Sequence, residues 1–419
     1  MNTRSLYNVG MREKCILHMD GDAFFVAVEI AKNPKLRGLP VVTGEEKGIV
    51  SALSYEAKAL GIVRGMPIFR LKKEFPKVLI LPGDYKSYAE YSGKMFDIVR
   101  RYADDVEEYS IDECFADLTG LDKPLKMSYR EIGEKIKREI VEELDLSVSI
   151  GIAPTKCLAK VASKWIKPNG FTVIDKPSIP DFLGKVPIGK IWGIGHQTSI
   201  FLKKMGIENA LQFIQKDREW VYANLAKPYE TIWYELQGKP VMELDPHAKT
   251  IYSSMQRTRS FHPSTNNEVF LLSQLSKHVE DVCAKARHYD LVARRFSFFI
   301  KTKDFRYISY ALSLPSATNT PEAIISLIQK NFTKVYYGEF MYRTTGVTLY
   351  ELIPSSHAHA DLFGISDQTD RFKIIHKKID ELEDKYGKSL VYLASTHQAR
   401  NRDVKGTESD DLDRNLLFL

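Results

Sequence analysis

A chain of 419 residues has room for two or more domains, each with its own core, and 44% apolar with 27% charged residues is the make-up of a soluble globular protein, which excludes fibrous and disordered classes. No apolar run approaches a membrane span, the opening MNTRSLYNVGMREKC lacks the apolar centre of a secretory signal, and the four scattered cysteines have no CxxC spacing, so a cytoplasmic protein with small buried thiols is expected, without membrane, zinc site or disulfide framework. The net charge of +6 is unevenly spread: Lys and Arg exceed Asp and Glu by ten across 151–353, whereas 1–150 and 354–419 each carry two more acids than bases.

In chain order, Ile16 to Met19 reads as a buried strand and Ala23 to Ala31 as a helix. The stretch 48–62 begins as a strand and turns into a helix that stops at Gly61; Pro67 opens a short helix through Lys73, and 78–81 is strand-like. Ser128-Tyr129-Arg130-Glu131 is a capping box opening a helix with Ile132, Ile136, Ile140 and Leu144 on one stripe. A strand over 147–153 and a helix over 158–165 follow, then short helices with glycine turns from 177 to 237. From 250 to 352 the pattern predicts mainly strands, with a paired couple over 294–315 and one helix near 321–332. The last periodic segment, 371–387, predicts a helix buried along Ile375, Ile379, Leu382 and Tyr386; 400–412 is polar and expected to be disordered. Helices and strands alternate irregularly, which predicts an α+β fold over a doubly wound one.

Chemistry is concentrated in two segments. His18-Met19-Asp20-Gly21-Asp22 ends the first strand in an aspartate, and Ser110-Ile111-Asp112-Glu113 puts two carboxylates at a turn, where adjacent side chains are released from the opposed directions of a strand. Three carboxylates suit hard divalent cations, which take oxygen ligands and keep room for substrate phosphates. Two such ions stabilise the attacking and leaving oxygens of a phosphoryl transfer. Asp22 is read as structural, turned away from Asp20. An acidic front and a basic middle fit an enzyme that holds cations and follows a polyanion.

Five ordered segments, HMDGDAFFVAVE, SYEAKALGIVRGMP, YSIDECFADLTG, GIAPTKCLAKVASKWIKPNG and WGIGHQTSIFLKKMGI, resemble the Y-family translesion DNA polymerases, in particular the bacterial DinB (DNA polymerase IV) and UmuC group, over 15–353. The resemblance implies a right-hand polymerase with palm (1–23 and 84–175), small fingers (24–83), a helical thumb with a helix-hairpin-helix (176–240), a linker (241–249), a β-rich little finger (250–353) and a tail (354–419). It implies a template-dependent, low-fidelity DNA polymerase without proofreading exonuclease, acting in DNA damage tolerance on primer–template DNA and deoxynucleoside triphosphates, and the use of two Mg²⁺ per site, with Mn²⁺ as substitute. A monomer is expected.

Carried over residue by residue, the resemblance makes Asp20, Asp112 and Glu113 catalytic metal ligands, with the Gly21 carbonyl beside them. Phe24 and Phe25 begin a helix whose free N–H groups suit phosphate, and Phe25 becomes the steric gate against a 2′-hydroxyl, with Phe24 turned to the core. Tyr55 and Lys58, three apart on one helix face, would reach one triphosphate with Lys167 of KPNG; lysine stands at 58 where the family commonly has arginine and so lacks the bidentate fork. Ile49, Ser51 and Met66 would roof the templating base. Gly193 and Gly195 would bring backbone amides to a DNA phosphate, with Trp192 where the family usually has proline. Arg257 and Arg259, joined by Arg294 and Arg295, would contact template phosphates. In the tail, Leu362 and Phe363 of HAHADLFG resemble a sliding-clamp peptide, with His359 in place of the usual glutamine. Two rivals are another palm-type nucleotidyl transferase or cyclase, which would not need the GIG turn or the basic β portion, and a silent DNA-binding scaffold, which would not need the carboxylates.

Overall fold

The computed structural model describes residues 13–247, 252–357, 366–386 and 390–403, and these form two compact units, one within 13–247 and one within 252–403. The first is built on β1 (Ile16–Gly21), followed by α1 (Phe24–Lys32), β2 (Val41–Thr43), β3 (Ala52–Leu53), α2 (Tyr55–Ala59), α3 (Ile68–Glu74), β4 (Leu79–Leu81), α4 (Tyr85–Arg100), β5 (Val106–Ser110), β6 (Glu113–Asp117), α5 (Asp122–Leu125), α6 (Tyr129–Leu144), β7 (Val148–Ala153), α7 (Lys156–Ser163) and β8 (Phe171–Val173). Five of these strands form one sheet in the order β5-β6-β1-β7-β8. β1 lies at its centre, antiparallel to both neighbours, and is buried along its whole length.

Alternation along β1 divides the core in two. Leu17 and Met19 face α4 and α6, where they meet Phe96, Ile98, Val99, Ile132, Ile136 and Ile140. Ile16 and Phe115 face α7 and the short helices α8 (Ile179–Leu183), α9 (His196–Lys204), α10 (Ala210–Ile214), α11 (Arg218–Asn224) and α12 (Lys227–Leu236), which contribute Leu183, Leu202, Phe213, Trp233 and Leu236. Each fully buried side chain of this size contributes about 1.5–3 kcal/mol relative to exposure, so the sheet is fixed from both faces. Gly151 lets α7 lie against the strands: a Cβ there would stand 2.2 Å from the Ala159 carbonyl oxygen. A smaller sheet, β3-β2-β4, has its own core of Val42, Val50, Ala57, Ile62, Met66, Ile68, Leu71 and Val78.

The capping box forms as predicted: the Glu131 N–H donates to Ser128 Oγ at 3.3 Å, and the Ser128 N–H donates to the Glu131 carboxylate at 2.7 Å. α4 was not anticipated, although Tyr85, Tyr88, Ser92, Met95, Phe96 and Val99 give it a buried stripe.

The second unit is a four-stranded antiparallel sheet, in the order β11-β10-β12-β9, made of β9 (Ser254–Thr265), β10 (Leu291–Thr302), β11 (Tyr307–Thr318) and β12 (Tyr342–Pro354). One face is covered by α13 (Glu268–His288) and α14 (Pro321–Asn331), over a core that includes Leu271, Leu275, Val279, Phe296, Phe298, Ile300, Ile324 and Val347. The expectation of one helix in this region is therefore wrong; the 21-residue α13 is a second. α15 (Ser366–Tyr386) forms where expected but packs the other way round. His376 is buried, beside Glu322 at 2.8 Å, and Asp380 accepts two hydrogen bonds from Arg287 at 2.6 and 2.7 Å. Ile375, Leu382 and Tyr386 are exposed, so polar pairing overrides the apolar stripe. A last helix, α16 (His397–Asp403), is tied to α13, with Arg400 on Glu280 and the Ala399 N–H on Ser273 Oγ; its last residues, 400–403, lie inside the stretch expected to be disordered. All four cysteines are buried and free, as expected, and among the described residues no helix is long and apolar enough to cross a membrane.

Candidate active site

The sheet register brings two of the predicted ligands together. Asp20 and Glu113 are cross-strand partners at the end of the β1–β6 ladder, on the face covered by α7. Asp112 occupies the turn between β5 and β6, and its carbonyl accepts the Gly21 N–H at 2.8 Å, pinning the turn to the end of β1. Ser110 Oγ donates to Asp112 Oδ1 at 2.7 Å, which holds that carboxylate.

Lysines surround the cluster. Lys167 pairs with Asp20 and lies 3.5 Å from Asp22. Lys160 Nζ, with 6% of its side chain exposed, is 2.8 Å from Glu113 Oε2, and Lys164 is 3.6 Å from Oε1. Burial, together with the hydrogen bond shared with Glu113, pushes Asp20 up to about 7, against the pull of Lys167. Burial likewise raises Asp112, with Glu113 adding to it and Ser110 opposing it. Burial acts on Glu113 too, but Asp20 and Lys160 outweigh it and hold Glu113 low, so the shared proton of this close pair belongs to Asp20. Burial draws Lys160 below its ordinary value despite Glu113.

Among the described residues no three His, Cys, Asp or Glu side chains converge as a ready-made metal cage, because Asp112 is turned to Ser110 and lysines face the other two carboxylates. The donor set nonetheless fits a hard divalent ion. It is all oxygen, and crowding and burial raise the Asp20 carboxyl, a condition that added positive charge relieves.

Asp22 departs from its expectation in one respect. It follows β1 in a turn and does not turn away from Asp20, because both carboxylates reach Lys167. Its structural role stands: it accepts hydrogen bonds from Ser147 Oγ, Ser149 Oγ and the Asn169 N–H, each at 2.8 Å. These bonds hold the KPNG turn. Gly170 closes it, because a Cβ there would lie 1.8 Å from the Ile166 carbonyl oxygen, and the Gly170 N–H donates to Ser149 Oγ at 3.1 Å. The aspartate thus aims Lys167.

Phe24 is buried in the main core, as expected, while Phe25 is half-buried and stacks on Tyr88 of α4, with ring centres 4.4 Å apart and planes 11° apart. Tyr85 meets Phe25 edge-on at 5.8 Å, and the Tyr88 hydroxyl is fixed by Glu29 at 2.8 Å. α1 starts after Ala23, which has left-handed backbone angles and offers no side-chain cap, so no side chain of the N-cap residue takes up the first N–H groups of the helix. Tyr55 begins α2 behind the Ser54 cap; burial, then Asp22 and Asp20, push its hydroxyl up to about 12. Lys58 is exposed, 5.7 Å over the Tyr55 ring. Ile49 is exposed, Ser51 half-buried and Met66 buried.

Gly193 adopts φ +87°, and a Cβ there would meet Ile232 at 2.6 Å; Gly195 caps α9 without a side-chain bond. Arg257 and Arg259 do share a face, but it is the face of Met255 and Phe261, toward α13, and both are half-buried on the edge strand. The open face carries Gln256, Thr258 and Ser260 of β9 with Arg295 and Lys301 of β10. His359, Leu362 and Phe363 lie outside the described residues. Reading the sequence missed Tyr85 and Tyr88, and also Lys156 and Lys160; a lone lysine looks like surface until the fold buries it.

The impB/mucB/samB family profile matches residues 19–164, and that of the family's C-terminal domain matches 252–362. The chain is similar to DNA polymerase IV 1 of Bacillus subtilis (strain 168), 30% identical over 94% of this chain and 96% of the relative. It is also similar to DNA polymerase IV of Desulfatibacillum aliphaticivorans, 31% identical over 92% and 97%. Among solved structures, a Y-family DNA polymerase chimera, Dbh-Dpo4(243-245)-Dbh, has the same fold, with a TM-score of 0.67 at 24% identity, covering 81% of this chain and 99% of that one.

Proposed function

The chain belongs to the impB/mucB/samB family of Y-family translesion DNA polymerases, a DNA-directed DNA polymerase that depends on divalent metal, and from that premise we propose which of its residues do the work. The observation that carries the proposal is the buried meeting of Asp20 and Glu113 beside the Asp112 turn, ringed by Lys160 and Lys167.

Asp20, Asp112 and Glu113, with the Gly21 carbonyl, would hold two Mg²⁺ ions. When bound, such ions lower the pKa of a primer 3′-hydroxyl and neutralise charge on the triphosphate. The chain's own groups do the rest. The N–H groups at the start of α1 receive phosphate oxygens. Tyr55, Lys58 and Lys167 hold the triphosphate from the α2 side and from the KPNG turn, which Asp22 keeps in place. Lys167 leaves Asp20 for phosphate when the nucleotide enters, exchanging one anion for another. Phe25 forms the floor beneath the sugar: its ring is backed by Tyr85 and Tyr88 and so does not yield to a 2′-hydroxyl. No protein nucleophile is needed.

For organisation we assign 1–23 and 84–175 to a palm, 24–83 to fingers, 176–240 to a thumb, 250–353 to a little finger and 354–419 to a tail. Primer–template phosphates would be met by the Gly193–Gly195 turn and, at the rim of the second unit, by Arg257 and Arg259. Leu362 and Phe363 would tether a monomeric enzyme to a sliding clamp in the cytoplasm. Primer extension on intact and lesion-containing templates with Mg²⁺ tests the reading. The wild-type protein extends both and Asp112→Asn extends neither; equal extension by the variant would remove the carboxylates from the mechanism.

A further inference from the structure

Glu113 is held by an arrangement that the two-metal reading does not explain. Lys160 Nζ is 2.8 Å from Glu113 Oε2 and lies inside an aromatic cage, 4.0 Å from the ring centre of Tyr109, 5.0 Å from Trp192 and 5.9 Å from Phe115. The cage is closed on itself. Trp192 Nε1 donates to the Tyr109 hydroxyl at 2.9 Å, Trp192 stacks on Phe115 at 5.6 Å, and Tyr109 meets Phe115 edge-on at 5.8 Å. Phe115 is fully buried two residues after Glu113, with Lys156 over its ring at 4.8 Å, and Lys156 is itself locked to Glu107 at 2.6 and 2.8 Å. Trp192 opens the glycine turn before α9. Its rings therefore link that turn to the catalytic strand through one buried cation.

Three ring faces hold an ammonium against leaving, and each such contact strengthens as water is removed. The ammonium so held occupies one oxygen of Glu113 and competes with any other cation for it. We propose that Trp192, Tyr109 and Lys160 act as a positioning unit for Glu113, fixing the orientation of its carboxylate and weakening its hold on a divalent ion, so that orientation is gained at the expense of metal affinity. The inference rests on Glu113 being a metal ligand.

Two observables separate this role from plain structural support: the affinity for Mn²⁺ in the polymerase–primer–template complex, read without turnover from the free-ion electron paramagnetic resonance signal, and kcat in Mg²⁺. Lys160→Met removes the competing charge and should tighten Mn²⁺ about tenfold while lowering kcat about tenfold or more. Lys160→Arg, which restores the charge, should return Mn²⁺ affinity to within about twofold of wild type. Trp192→Pro serves where Lys160→Met does not fold, since among the described residues the Trp192 N–H donates no backbone hydrogen bond that proline would remove. It should shift both quantities in the same directions by about threefold, with nucleotide KM unmoved. A fall in kcat with Mn²⁺ affinity unchanged or weaker, in whichever variant folds, overturns the inference. Full activity of Asp112→Asn would instead overturn the reading of the site on which it rests.

Discussion

Replacing Asp22 separates a carboxylate that builds the site from those that carry the chemistry. Its side chain accepts three hydrogen bonds of 2.8 Å, two from serine hydroxyls and one from the Asn169 N–H, and it is 3% exposed. A hydrogen bond to a charged group is worth about 1.5–3 kcal/mol net, so three give a gross loss of roughly 4–9 kcal/mol on truncation to alanine. The serine hydroxyls can turn to other acceptors and the burial of one charge is relieved, which leaves about 2–4 kcal/mol. In a unit of this size that lowers Tm by roughly 5–12 °C. Asp22→Asn keeps an acceptor oxygen and should lose about 1–2 kcal/mol. Because the lost bonds hold the KPNG turn, nucleotide KM should rise roughly tenfold in Asp22→Ala as Lys167 loosens, and extension by Asp22→Asn should stay within about fivefold of wild type. Thermal unfolding and steady-state primer extension measure both. An Asp22→Asn variant that keeps wild-type Tm and extends no primer would make Asp22 a ligand and refute this division of roles.

Other consequences are equally open to test. Phe25→Val removes the ring stacked on Tyr88 and should admit ribonucleotides, raising their incorporation relative to deoxynucleotides by about 100-fold or more in single-nucleotide assays; unchanged sugar discrimination would refute the gate. Gly170→Ala places a Cβ 1.8 Å from a backbone oxygen, so it should destabilise by about 1–3 kcal/mol and raise nucleotide KM; a variant with normal Tm and KM would show that the turn is not needed. Asp380→Ala leaves the half-buried Arg287 without its bidentate partner and should cost about 3 kcal/mol, seen as earlier proteolysis of the C-terminal helices; an unchanged cleavage pattern would mean that α15 is held otherwise. Deleting 359–363 should abolish stimulation by a sliding clamp and spare basal extension, and stimulation that survives would move the contact elsewhere.

Features set by local chemistry could be read from the chain: Asp20 closing an apolar strand, the Ser128 capping box, and Ile132, Ile136 and Ile140 spaced by four on α6. Features that depend on what the fold buries could not. α13 carries Leu271, Leu275, Val279, Val282 and Ala286 at helical spacing, but Ser273, Gln274, Ser276, Lys277 and His278 are buried with them and blur the stripe. α15 shows the reverse: its apolar positions are at the surface because Arg287 and Glu322 recruit Asp380 and His376 instead. Within the site, register pairs Asp20 with Glu113 across about ninety residues, which no local pattern encodes. Lys160 has the same one-letter code as the exposed Lys164 four residues on, and only the packing of α7 on the sheet makes one a buried partner of Glu113. The arginines of β9 obey alternation, yet which face the helices cover was not legible from that strand alone.

Asp20→Asn in a single-turnover primer extension tests the central claim most directly, with DNA binding measured on the same preparation. It changes one oxygen to an amide at the point where β1, β6 and the KPNG lysine meet, without altering shape. The account predicts wild-type Tm, DNA affinity within about threefold of wild type, and a rate of nucleotide addition reduced by about 1,000-fold or more. Addition within tenfold of wild type by a folded, DNA-bound Asp20→Asn protein would contradict it.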